Sequence, residues 1–143
     1  MSTYPDLHLF INGEWRKTSD DLPVVNPATE EEIGRLPRAE QTDLDDALDA
    51  AEAGFKIWSQ TAPSERARIL VNAAALMRER QDEIATAITL EHGKPFKQAQ
   101  LEVIRGCEFL EWDAGEATRT YGRVIPSAPG AVSYTHLTLP TTR

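Results

Sequence analysis

Apolar positions in the first forty residues alternate or come in short runs, and from Thr42 onward they recur at helical spacing. Leu9-Phe10-Ile11 predicts a strand, and Glu14-Trp15-Arg16 its return. Asn12-Gly13 between them is the strongest short hairpin signal, because a type I′ turn needs positive φ at both central residues. Val24-Val25 predicts a short strand closed by Asn26-Pro27, since a proline holds the residue before it in extended geometry. Glu32-Ile33-Gly34-Arg35-Leu36 alternates and predicts a further strand before Pro37. This small antiparallel part over residues 7–40 is marginal alone and needs a partner surface.

The helical period then covers residues 42–121. Leu44, Ala47, Leu48, Ala51, Phe55 and Trp58 share one face, and Thr42 with Asp45 resembles a capping box with Asp in place of Glu or Gln. A second helix starts at Pro63, with Glu65 in the first turn where the dipole favours an anion. Its apolar stripe runs through Ile69, Leu70, Ala73, Ala74, Met77, Ile84, Ala87 and Ile88, long enough to predict a bend around Gln81-Asp82. Gly93 is placed to end it in left-handed geometry. Pro95 opens a third helix with Phe96, Ala99, Val103, Cys107, Leu110, Ala114 and Ala117 on one face, and Gly122 is expected to stop it. The described pattern is mainly α with a small N-terminal antiparallel β part. Residues 132–143, VSYTHLTLPTTR, contain no acid and no helical period. They resemble the translation of a transposon-end sequencing adapter, so the expected native domain is 1–131 and the tail is expected to be non-native and structureless.

Charge narrows the partners. The net charge is −8, which argues against nucleic acid and anionic membrane, since both select clustered Lys and Arg. No apolar run nears the roughly 20 residues that span a bilayer. The N-terminus lacks the basic and apolar regions of a signal peptide. Cys107 is the sole cysteine, so no internal disulfide forms, and a reducing, cytoplasmic compartment is expected.

Candidate chemistry is sparse. Cys107 lies mid-helix on the apolar face with Glu108 beside it, without the helix N-terminus or cationic neighbour that lowers a thiol pKa, and is read as a packing residue. His8, His92 and His136 do not cluster, and neither GxGxxG nor a P-loop occurs. No catalytic and no cofactor-binding residue is therefore assigned. Glu91 sits in the last turn of a helix, where the dipole disfavours an anion and a compensating cation is invited; the alternative is an exposed charge. Arg105 flanks the apolar stripe of the third helix and, taken alone, is a solvated charge.

Five segments in order carry a resemblance: LFINGEW from Leu9, VVNPATEEEIG from Val24, SERARIL from Ser64, LEHGKP from Leu90, and EFLEW from Glu108 with YGRVIP from Tyr121. Together they resemble the N-terminal part of NAD(P)-dependent aldehyde dehydrogenases, most of all the succinate-semialdehyde branch. The resemblance implies an α/β fold of which this chain is an incomplete part, a cofactor of NAD or NADP, a small aldehyde as substrate and a homo-oligomeric parent. It also implies the parent chemistry: a cysteine thiolate attacks the aldehyde, hydride passes to NAD(P)+, and a glutamate-activated water releases the acid. The family's PWNF-type segment, nicotinamide and phosphate loops, nucleophilic cysteine and general-base glutamate have no counterpart here, so the chain alone is expected to be inactive. The resemblance further implies a structural monovalent cation between the Val25 carbonyl and Glu91, and places Arg105 at the substrate entrance, where it could attract a carboxylate-bearing aldehyde. The competing reading is a freestanding helical interaction module on the same scaffold.

Overall fold

The computed structural model describes residues 4–121, 123–125 and 134–137, the last two segments as strand backbone. β1 (Leu9–Ile11) and β2 (Glu14–Arg16) form the expected hairpin, with Leu9 opposite Arg16 and Ile11 opposite Glu14. Asn12 and Gly13 take φ of 52° and 81°, as the type I′ turn requires. β3 (Asp21–Val25) pairs antiparallel with β4 (Glu32–Pro37), and a bulge falls at Val24/Val25. The loop between them closes on Asn26: its side-chain oxygen accepts the Ala28 N–H at 2.9 Å, and its carbonyl accepts Glu30 N–H at 2.8 Å.

α1 (Gln41–Trp58) begins one residue before the expected cap, Thr42. Glu40 is the N-cap, and its N–H donates to Asp43 Oδ2 at 3.0 Å, so the capping pair is Glu40 and Asp43, not Thr42 and Asp45. Ser19 Oγ donates to the Glu40 carboxylate at 2.9 Å, a long-range contact that fixes this start. Arg16 ties β2 to α1 through Asp46 Oδ2 at 2.6 Å. α1 buries none of its residues: Leu44, Leu48 and Phe55 are each more than half exposed.

α2 (Pro63–Glu79) and α3 (Gln81–His92) are separate helices, broken at Arg80 with φ −98° and ψ 17°. The expected bend is therefore present, one residue earlier. Gly93 ends α3 with φ 69°, and its N–H donates to Thr89 O at 2.9 Å. α4 (Phe96–Ala117) then runs back along both. Gln100 Nε2 donates to Asp82 Oδ1 at 2.7 Å near its start, and Arg78 grips both oxygens of Glu111 at 2.7 and 2.8 Å near its end. α4 ends at Ala117, not at Gly122, because Thr118 Oγ1 and Arg119 Nε donate to Gly115 O and Thr120 Oγ1 to Ala117 O, drawing off the last carbonyls. Gly122 itself lies outside the described residues.

The core is small. Ala74, Ala85, Ala99, Val103 and Cys107 are buried, with Met77, Ile84, Ile88 and Leu110 packed around them. Alanines at the contact let α2 and α3 approach α4 closely. β5 (Arg123–Ile125) and β6 (Tyr134–Leu137) form a further antiparallel pair. Residues 134–137 are thus a strand, which corrects the expectation that the tail is without structure. Its β-branched and aromatic residues suit that state.

Candidate functional site

The loop after β3 and the end of α3 meet. A Cβ on Gly93 would lie 3.3 Å from Pro27 Cγ, so Val25-Asn26-Pro27 reaches the helix turn that carries Glu91. Glu91 is exposed, and its Oε1 accepts a hydrogen bond from the hydroxyl of Tyr4, which is 87 residues away in sequence. The phenol pKa rises from 10.0 to about 12, first through removal from water, then through the bond it gives Glu91 and that carboxylate's charge. Among the described residues, Oε2 accepts no hydrogen bond.

This donor set suits a monovalent cation in kind: a carboxylate oxygen at a helix C-terminus and a main-chain carbonyl at a bulge are hard oxygen ligands. A transition metal is less well served, since among the described residues no three His, Cys, Asp or Glu side chains gather. Tyr4 is the residue that sequence reasoning missed. Nothing in the local pattern of Thr3-Tyr4-Pro5 announces a partner on α3.

Arg105 lies on the exposed side of α4. It borders an open depression of about 620 Å³ lined by Leu101, Glu102, Gly106 and Phe109, and a smaller one of about 270 Å³ beside Trp112. Lys94 at the mouth is committed to Glu102, whose carboxyl it holds below the usual range through that hydrogen bond. Arg105 forms no ion pair among the described residues, though its charge adds to that of Lys94 in favouring the ionised Glu102. Arg105 on α4 and Glu91 at the end of α3 share no hydrogen bond or ion pair among the described residues, and Glu91 does not line the depressions beside Arg105.

Cys107 is fully buried among Ala74, Ala85, Ala99 and Val103, as expected of a packing residue. His8 stacks edge-on against Trp15 with ring centroids 6.5 Å apart, and His92 is exposed at the end of α3. The side chain of His136 lies outside the described residues.

Comparison with known proteins gives a consistent result. The model of the aldehyde dehydrogenase family matches residues 15–140. The chain is similar to succinate-semialdehyde dehydrogenase [NADP(+)] of Saccharomyces cerevisiae, 41% identical over 117 residues, which covers 81% of this chain and 24% of that protein. It is also similar to 3-sulfolactaldehyde dehydrogenase of Pseudomonas putida, 39% identical over 119 residues, covering 82% and 24%. Among solved structures, an NADP-dependent enzyme of E. coli superposes with a TM-score of 0.83 at 36% identity, covering 87% of this chain and 26% of that one. The chain thus spans about a quarter of the length of the curated relatives it matches. The helices and small antiparallel strands described above are a part of the aldehyde dehydrogenase fold, and the chain belongs to the aldehyde dehydrogenase family.

Proposed function

We propose that this chain is the N-terminal scaffold of an NAD(P)-dependent oxidoreductase that oxidises a short aldehyde with an anionic terminus, such as succinate semialdehyde or a related dicarboxylate semialdehyde, to the carboxylic acid. The observation that carries this is Arg105: a guanidinium without an ion pair among the described residues, set beside an open depression on α4 with Leu101 and Phe109 in its walls. The two relatives named above are named for succinate semialdehyde and 3-sulfolactaldehyde, both anionic at the end remote from the aldehyde. An arginine suits carboxylate and sulfonate alike, because its donors pair with two oxygens at once.

In this reading Arg105 draws the anionic end toward the entrance, and the apolar walls of Leu101 and Phe109 keep that end from being solvated on all sides. NAD(P)+ supplies the hydride acceptor in the whole protein, and none of the described residues is assigned to hold it. The Val25 carbonyl and Glu91 are proposed to hold a structural monovalent cation. The whole protein is proposed to be a cytoplasmic homo-oligomer.

The test uses the product of the uninterrupted coding sequence. Arg105→Gln should raise KM for succinate semialdehyde about tenfold, the scale of one lost charge-assisted hydrogen bond, with kcat little changed. KM for an uncharged aldehyde of similar length should stay the same. Equal effects on the two aldehydes would remove Arg105 from substrate selection.

A further inference from the structure

Residues 4–8 carry no regular secondary structure, yet they pass between the β3–β4 hairpin and α3. A cavity of about 430 Å³ flanks this strap on the hairpin side, against Ile33 and Arg35. A groove of about 550 Å³ flanks it on the helix side, against Ile84, Ala87 and Leu90. The strap is therefore held at points and not along its length. The tightest point is Tyr4. Its ring lies over Gly34, where an added Cβ would stand 2.5 Å from Cδ1 and 2.6 Å from Cε1, so no other residue fits at 34 without displacing the ring. Its hydroxyl reaches Glu91. Among the described residues, no other side-chain hydrogen bond joins residues 4–40 to α3.

We propose that Tyr4 is a latch: with its ring seated on Gly34 and its hydroxyl donating to Glu91, it ties the N-terminal strap and the β3–β4 hairpin to the C-terminal end of α3 and sets the orientation of the Glu91 carboxylate. The placement has a physical reason. A carboxylate in the last turn of a helix faces the negative end of the dipole and needs a donor. The phenol supplies one from a rigid ring with two side-chain torsions, at less entropic cost than a lysine. The Pro27–Gly93 contact brings the far end of the same hairpin to the same helix turn, so the latch and this contact act on one joint. Tyr4 is a positioning residue in this assignment, and the role does not depend on the proposed substrate.

Backbone order on the ps–ns scale tests it, measured by 15N relaxation on the whole protein that carries this chain, where its helices have their packing partners. In the wild-type chain Asp6, Leu7 and His8 should be nearly as ordered as β1. Tyr4→Phe keeps the ring and removes the donor; it should drop the order parameters of these three amides below about 0.6 while α4 stays near 0.85. Glu91→Ala should do the same, and the double variant should be no more mobile than either single one, as for two ends of one bond. Gly34→Ala should release the strap with the hydroxyl still present. Glu91→Gln, which can still accept the phenol proton, should retain most of the order. A strap already mobile in the wild-type chain, unchanged order in Tyr4→Phe, or additive effects in the double variant would each overturn the latch.

Discussion

Tyr4 shows most clearly what a single residue adds. Its phenol is the acid, and its neutral form is the one favoured in the folded chain. The sign follows directly: with a folded pKa of about 12 against 10.0, the stabilisation is fully present below pH 10 and is lost as pH rises from 10 to 12. Denaturation curves of the whole protein taken across that window should show the wild type losing stability faster than Tyr4→Phe. Parallel curves for the two would show that the hydroxyl is not held as described. Glu91 stands out in the sequence as an anion at the wrong end of a helix, whereas Arg105, taken alone a solvated charge, is singled out only by what the family resemblance implies. Tyr4 does not stand out, since its significance rests on Gly34 and Glu91, and a single sequence carries no signal for a contact across 87 residues.

At the level of elements, local chemistry predicted what local chemistry decides. Asn12-Gly13 and Gly93 each need positive φ, and each has it. Replacing Gly93 with alanine should cost about 1–2 kcal/mol, the expense of a left-handed non-glycine residue, because the new Cβ also meets Pro27 at 3.3 Å. A denaturant midpoint unchanged by Gly93→Ala would contradict the αL cap. Helix limits went astray where side chains from elsewhere intervened. α1 starts early because Ser19 and Asp43 serve Glu40. α4 stops early because Thr118, Arg119 and Thr120 take its last carbonyls before Gly122 is reached. The face of α4 was legible because the middle of its stripe, Ala99, Val103, Cys107 and Ala114, is buried. The equally clear stripe of α1 is left largely exposed, with β1 its main neighbour, which periodicity alone does not reveal.

For the molecule as a whole, the exposed aromatic side chains of the described helices are the telling feature. Phe55, Phe109 and Trp112 are each more than 60% exposed, on helices that bury only small residues or none. Most helical stability in proteins comes from packing an apolar face, so helices left in this state keep their propensity and lose their rigidity. The isolated chain should show strong far-UV and weak near-UV circular dichroism, bind a hydrophobic dye, and self-associate at micromolar concentration. A sharp cooperative melt from a clean monomer would count against an incomplete packing unit and in favour of a freestanding module.

Scaffold without catalytic machinery is the central claim, and reduced-cofactor formation by the 143-residue chain itself tests it most directly. Given succinate semialdehyde and either NAD+ or NADP+, the chain should form no NADH or NADPH above the protein-free rate, because Cys107 is sealed in an alanine-lined core. Turnover that Cys107→Ser abolishes would contradict the claim and make Cys107 the nucleophile.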